Sequence, residues 1–143
     1  MTKPLSTGIL FITMAGRKQR HNIHKVVALL KVLNQDKRYN PESYSFVMAS
    51  LGFTSKKLKR RGHLTGQELS EGIKDYAIEQ FGPMAKSVLG HWGIKNTGDF
   101  GEIVFNMIDA GLLGKTEQDS KQDFDGLYDF KTVFEENFKY TLH

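Results

Sequence analysis

Apolar residues recur along most of this chain at the three- and four-residue steps of an α-helix. Ile23, Val26, Val27, Leu30 and Leu33 predict a first helix near 22–35. Asn40-Pro41-Glu42 supplies a cap residue, a proline at the first helical position and an acid, so a second helix opens there. Its stripe is Tyr44, Val47, Met48, Leu51 and Leu58; Phe46 and Phe53 lie off the stripe, which predicts neighbours on two sides, and Gly62 ends the helix. Thr65-Gly66-Gln67-Glu68 has the form of a capping box and starts a third helix through Leu69, Ile73, Tyr76, Ala77 and Phe81. Gly82-Pro83 breaks the chain, and a short fourth helix runs through Met84, Val88, Leu89 and Trp92 to Gly93. Thr97 caps a fifth helix with Phe100, Ile103, Val104, Met107, Ile108 and Leu112, closed by Gly111 and Gly114. Gly72 and Gly101 fall inside helices at a cost of about 1 kcal/mol each relative to alanine, which points to close helix–helix approach.

Residues 115–130 are polar and acidic apart from Phe124, Leu127, Tyr128 and Phe130, and read as a long loop or weak hairpin; Phe134 and Phe138 suggest a last short helix. Residues 1–21 lack periodicity and read as a flexible, basic N-terminal extension, with Met14 an alternative start, ahead of a single helical domain over 22–143. The fold class is mainly α, one compact domain of five or six helices. The fifth helix and the loop after it also fit a winged-helix layout with a small C-terminal hairpin. In that layout residues 98–112 would enter the major groove, yet they carry Asp99, Glu102 and Asp109 and no cation, against base reading by that helix. The expected core is Phe46, Val47, Leu51, Leu69, Ile73, Phe81, Trp92, Phe100, Ile103, Val104 and Ile108.

Composition narrows the chemistry. At 143 residues the chain suits one domain that needs no staple. The absence of cysteine removes disulfides, thiolate catalysis and cysteine-ligated metals, and fits a reducing, cytoplasmic setting. No apolar run approaches the roughly 20 residues that span a bilayer. Ile9-Leu10-Phe11-Ile12 is too short for an anchor, and Arg17-Lys18-Gln19-Arg20 stands where a signal-peptide cleavage site would be. No membrane partner is therefore expected.

Charge is divided unevenly. Residues 1–66 hold 13 Lys/Arg and 2 Asp/Glu, a net +11; residues 67–143 hold 7 and 14, a net −7. A basic face with a polyanionic partner is one reading, and neutralisation of one half by the other across the fold is the other. Lys56, Lys57, Lys59, Arg60 and Arg61 flank Leu58, predicted to stay in the core stripe, and form a cationic helix end suited to a phosphate backbone. The helix dipole alone would favour one or two such cations. Arg17, Lys18, Arg20 and Lys25, with His21 and His24, form a second cluster that could track phosphates as an arm. Phe53, three to seven residues from Lys56, Lys57 and Arg60, would stack a base if exposed and otherwise belongs to the core.

The segments Gly66-Gln67-Glu68-Leu69, Gln80-Phe81-Gly82-Pro83-Met84-Ala85, His91-Trp92-Gly93 and Asp99–Asn106 carry a resemblance, with Ala110–Thr116, Asp119-Ser120 and Tyr128-Asp129-Phe130. Over roughly residues 36–138 the chain resembles an uncharacterised family of small proteins restricted to the Planctomycetes–Verrucomicrobia group of bacteria. The resemblance implies a bacterial housekeeping role and transfers no catalytic or cofactor-binding residue.

Enzyme motifs fail on spacing. Gly114-Lys115-Thr116 ends like a P-loop, but Asp109 occupies its leading glycine and a helix precedes it. Asp123, Asp125 and Asp129 miss the EF-hand register. His21 and His24 lack an acidic neighbour to complete a metal site. His63 or His91 with Glu68, Glu71 or Glu79 could do acid–base chemistry, but no spacing ties them together. The sequence therefore predicts a non-enzymatic protein without metal or cofactor. Its expected function is sequence-non-specific DNA or RNA binding through the basic half. The alternative is a protein-interaction or self-assembling scaffold module that uses the acidic half, with a protein or a second copy as partner.

Overall fold

The computed structural model describes residues 8–10, 19–60 and 62–136. Among them the capping signals act as read. Asn40 accepts from the Glu42 amide at 2.8 Å ahead of α2, Pro41–Leu58. Thr65 and Glu68 complete the capping box of α3, Gly66–Phe81, at 2.9 Å in each direction. Asn96, one residue before the predicted cap, forms a second capping box with Asp99 and starts α5, Thr97–Asp109. A 3-10 turn over Gly82–Met84 leads into α4, Ala85–His91. The first helix, α1, spans Gln19–Gln35.

The protein is a mainly α domain with one hydrophobic core. Tyr44, Val47 and Leu51 of α2, Leu69, Ile73 and Ala77 of α3, Leu89 of α4, and Phe100, Ile103 and Val104 of α5 are fully enclosed. Phe81, Trp92 and Ile108 are half-buried against them, and Phe46, off the α2 stripe, is buried, so every expected core residue is buried or half-buried. The acidic C-terminal stretch adds Phe124, Phe130 and Phe134 to the same core, each worth roughly 1.5–3 kcal/mol of burial. That burial explains the irregular backbone of the stretch: a 3-10 turn over Lys121–Phe124 and a π-helical turn over Lys131–Glu136 swing the rings inward.

Three features depart from the sequence reading. The boundary at 21/22 falls within α1, and Gly8–Leu10, read as part of a loose extension, forms β1. This strand is the centre of a three-stranded sheet, antiparallel to β2, His63–Thr65, on one side and β3, Gly114–Lys115, on the other. Residue Gly114 pairs with Leu10, so among the described residues no C-terminal hairpin forms. The second helix ends at Leu58, earlier than Gly62, because Lys59 turns left-handed at φ 55° and its amide bonds the carbonyls of Ser55 and Lys56. Leu58 is consequently 41% exposed and lies outside the core stripe.

Gly72 and Gly101 sit at close contacts, as their cost implied, whereas Gly52 of α2 and Gly90 of α4 have open space around them. A Cβ on Gly72 would lie 1.7 Å from Thr54 Oγ1 of α2, and one on Gly101 would lie 3.0–3.1 Å from the Phe124 ring and Cβ. Gly72→Ala gains about 1 kcal/mol of helix propensity but overpacks the buried Thr54 side chain, so we expect a net loss of about 2 kcal/mol in urea denaturation, partly recovered by Thr54→Ala. A stabilised Gly72→Ala would contradict the close approach. Removal of residues 1–16 deletes the middle strand and leaves β2 and β3 without partners, so the thermal midpoint should fall by several degrees; an unchanged midpoint would mean that β1 contributes no stability.

Candidate functional site

Three surfaces carry unpartnered chemistry: the basic run after α2, the outer face of α1, and a groove beside Trp92. The basic run is less free than its sequence suggests. Lys57 Nζ meets Asp75 Oδ2 of α3 at 2.8 Å and lies 5.7 Å from the Phe53 ring centroid. Arg60 meets Glu68 Oε1 at 2.7 Å, the same oxygen that accepts the Thr65 amide in the α3 capping box. Burial disfavours the charged Glu68, but the Arg60 and Thr65 bonds outweigh it and hold the carboxyl below its ordinary value. Lys56 and Lys59 are exposed and meet no carboxylate among the described residues. Phe53 is half-buried against Tyr76, ring centroids 5.1 Å apart, so it packs against α3. Arg17, Lys18 and Arg61 lie outside the described residues, as do the side chains of Arg20, His21 and Lys25.

Helix α1 touches the body by one edge. Val32 is buried, and Leu29 and Leu33 are half-buried against the core. Ile23, Val26, Val27 and Leu30, the predicted stripe, are 61%, 56%, 53% and 58% exposed. The reason lies in the helical wheel. At about 100° per residue the apolar positions of α1 cover an arc of roughly 220°, twice what one neighbour needs. The body covers the half that contains Leu29, Val32 and Leu33. His24 and Lys31 occupy the polar remainder.

The segment after α1 is clamped to α5 by a polar network. Asp36 accepts from Arg38 Nε at 2.9 Å and Nη2 at 2.7 Å, and from Asn106 at 2.8 Å. Arg38 also reaches Glu102 at 3.1 Å. Tyr39, buried, donates to Asp99 at 2.5 Å. Burial raises the Tyr39 phenol well above its ordinary value and the Asp99 bond adds to this, so it remains a donor at all physiological pH. On the other side the Asn40 amide donates to the Trp92 carbonyl at 3.0 Å. Gly93, at φ 95°, passes so close that a Cβ would sit 2.2 Å from the Arg38 carbonyl.

Between these two segments opens a groove of about 450 Å³. Lys37, Arg38, His91 and Lys95 line it with Tyr39 and Trp92, and among the described residues no acidic residue does. Arg38 is engaged by Asp36 and Glu102, whereas the Lys37 and Lys95 ammonium groups meet no acid among the described residues. Sequence reading missed Lys37 and Lys95: 58 positions separate them, Lys95 stands alone and Lys37 sits between Asp36 and Arg38. His91, weighed as an acid–base residue, faces this groove, while Glu68 is occupied by Arg60 and Thr65. Among the described residues no three metal-ligating side chains converge.

No known protein family matches the chain, nor does any curated protein or solved structure.

The Asp36 cluster generates a pH prediction. Arg38 hydrogen bonding holds the Asp36 carboxyl far below the ordinary carboxylate range against the opposing effect of burial, and Asn106 assists. A depressed folded-state pKa contributes stability above the unfolded value near 3.9, lost as pH falls through the folded one. Asp36→Asn should therefore cost about 1–2 kcal/mol at pH 7, the exposure of Arg38 limiting the effect, and the gap to wild type should narrow below pH ~4. Urea melts at pH 7 and pH 3 measure it; an equal gap at both would assign the loss to packing and not to charge.

Proposed function

We propose that the protein is a self-assembling interaction module whose contact is the outer face of α1, with a second copy of the chain as partner. The supporting observation is the bare half of the α1 arc. Four of the six large hydrophobics exposed among the described residues stand on it. Together they form an apolar patch on the order of a few hundred Å², the size that marks interaction sites on soluble proteins. A second copy is the occupant that matches it best. Ile23, Val26 and Leu30 follow the 3-4 spacing of a coiled-coil seam, which runs on to the half-buried Leu33 and which an identical helix fills with its own residues across a two-fold axis. The area is at the low end for specific interfaces, so the dimer is weak and concentration-dependent. This reading moves the contact from the acidic half, where sequence analysis placed it, to the first helix.

A second reading, sequence-non-specific nucleic-acid binding, rests on cations that meet no acid among the described residues, among them Lys56 and Lys59, and Lys37 and Lys95 at the groove. The ion pairs of Lys57 and Arg60 count against a site at 56–61 alone.

Salt separates the two. Helix α1 contains Arg20, Lys25 and Lys31 and no acidic residue, so two copies repel and screening strengthens their apolar contact. Nucleic-acid binding instead weakens steeply with salt. In sedimentation equilibrium of the full chain we expect dimerisation that tightens between about 50 and 500 mM salt, and monomers for Val26→Lys/Leu30→Lys with an unchanged thermal midpoint. A wild type that stays monomeric, or a double variant that dimerises equally, rejects self-assembly. Duplex or single-stranded DNA bound at about 150 mM salt and released by Lys56→Gln/Lys59→Gln would support the second reading.

A further inference from the structure

We infer that the groove between the 36–40 segment and the α4–α5 junction is a nucleotide-binding site, its cations holding the phosphate and its aromatic wall facing the base. The proposal does not depend on self-assembly through α1.

The charge pattern of the molecule points to the groove. In several places cations and acids find each other: Lys57 with Asp75, Arg60 with Glu68, Lys86 with Glu135, Lys121 with Glu102. Lys37 and Lys95 come from segments far apart in sequence, line one concavity, and meet no carboxylate among the described residues. His91 adds a third donor, and Arg38, its charge already met by Asp36 and Glu102, borders the same space. Like charges gathered in a cleft repel unless an anion joins them, and a cleft focuses their field on that anion. A phosphate monoester, with its dianionic charge and several acceptor oxygens, satisfies two ammonium groups and an imidazole together; a single carboxylate leaves charge over.

Size and lining extend the ligand beyond phosphate. A volume of about 450 Å³ lies within the range of small-molecule sites, about 300–1,000 Å³, and far exceeds one phosphate. Trp92, half-buried, supplies an aromatic surface suited to a heteroaromatic ring, and Tyr39, 4% exposed with the Arg38 guanidinium 5.1 Å over its ring, lies behind it as support. The wall is stiff. Trp92 packs on Phe46 and Phe81 with ring centroids 5.4 and 5.7 Å away, and Tyr39 is locked to Asp99. The floor is held by the Asn40–Trp92 backbone bond and the close passage of Gly93. A site prepared in this way pays little ordering cost on binding.

The experiment uses the full chain and AMP, with inorganic phosphate, adenosine and a short single-stranded oligonucleotide bearing a 5′-phosphate as comparison ligands. Calorimetry measures affinity, and emission from Trp92, the one tryptophan in the sequence, reports whether the groove is filled. We expect saturable AMP binding that shifts Trp92 emission, with adenosine and phosphate alone each about ten-fold weaker or more, and Lys37→Gln/Lys95→Gln about ten-fold weaker for AMP. Lys56→Gln/Lys59→Gln should bind AMP as wild type does. Tighter binding of the oligonucleotide, still dependent on Lys37 and Lys95, would identify the source as a strand end; tighter binding of AMP would identify a free nucleotide. Absence of AMP and oligonucleotide binding at millimolar ligand overturns the proposal. So does a Lys37→Gln/Lys95→Gln variant, folded by circular dichroism, that binds within two-fold of wild type. Loss of α1 dimerisation in Val26→Lys/Leu30→Lys should leave AMP affinity unchanged, so the two proposals fail separately.

Discussion

Helix α3 lies against α2 so closely that only a hydrogen fits at residue 72, and most of the structure depends on that contact. The α2 side of it is prepared by hydroxyls that satisfy themselves. Thr54 Oγ1 donates to the Ser50 carbonyl at 2.7 Å and Ser50 Oγ to the Phe46 carbonyl at 2.9 Å, so no polar atom of either side chain needs a partner on α3. Close backbones bring Phe46 to Tyr76 and Phe81, with ring centroids 5.3 and 5.5 Å apart, and this aromatic layer continues to Trp92. The same approach sets Asp75 opposite Lys57. One glycine therefore positions the wall of the groove and helps to neutralise half of the described basic run.

Electrostatics is distributed by the fold and not by the sequence halves. The basic first half and acidic second half meet at Lys57–Asp75, Arg60–Glu68 and Arg38–Glu102. Several other lysines have an ammonium group that meets no carboxylate among the described residues. Two of them converge on a groove whose walls are fixed by Tyr39–Asp99 and Asn40–Trp92, so the polar clamp that orders the 36–40 segment also shapes the concavity.

Helix α1 is apolar over more of its circumference than the body covers. Its inner edge contributes Leu29, Val32 and Leu33 to the core, and its outer edge keeps Ile23, Val26, Val27 and Leu30 in solvent. Leu33 belongs to both the seam spacing and the groove lining, so a partner on α1 would sit next to the groove entrance without supplying its cations.

Caps, helix positions and core phase were legible from the chain alone, because each depends on residues within one or two turns. Asn40-Pro41, the Thr65–Glu68 box and the stripes of α2, α3 and α5 specify helices whatever surrounds them. Gly72 and Gly101 announced close contacts, though not with what. The tertiary structure decided which half of the α1 arc is covered, that Leu58 leaves the core once Lys59 turns left-handed, and that Gly8–Leu10 joins a sheet. A three-residue strand carries no periodicity of its own, and its stability comes from partners more than 50 and 100 positions away. The groove was invisible for the same reason. Lys37 and Lys95 are ordinary surface lysines until the 36–40 segment and the α4–α5 junction are brought together, and charge in sequence becomes charge in space only through that packing.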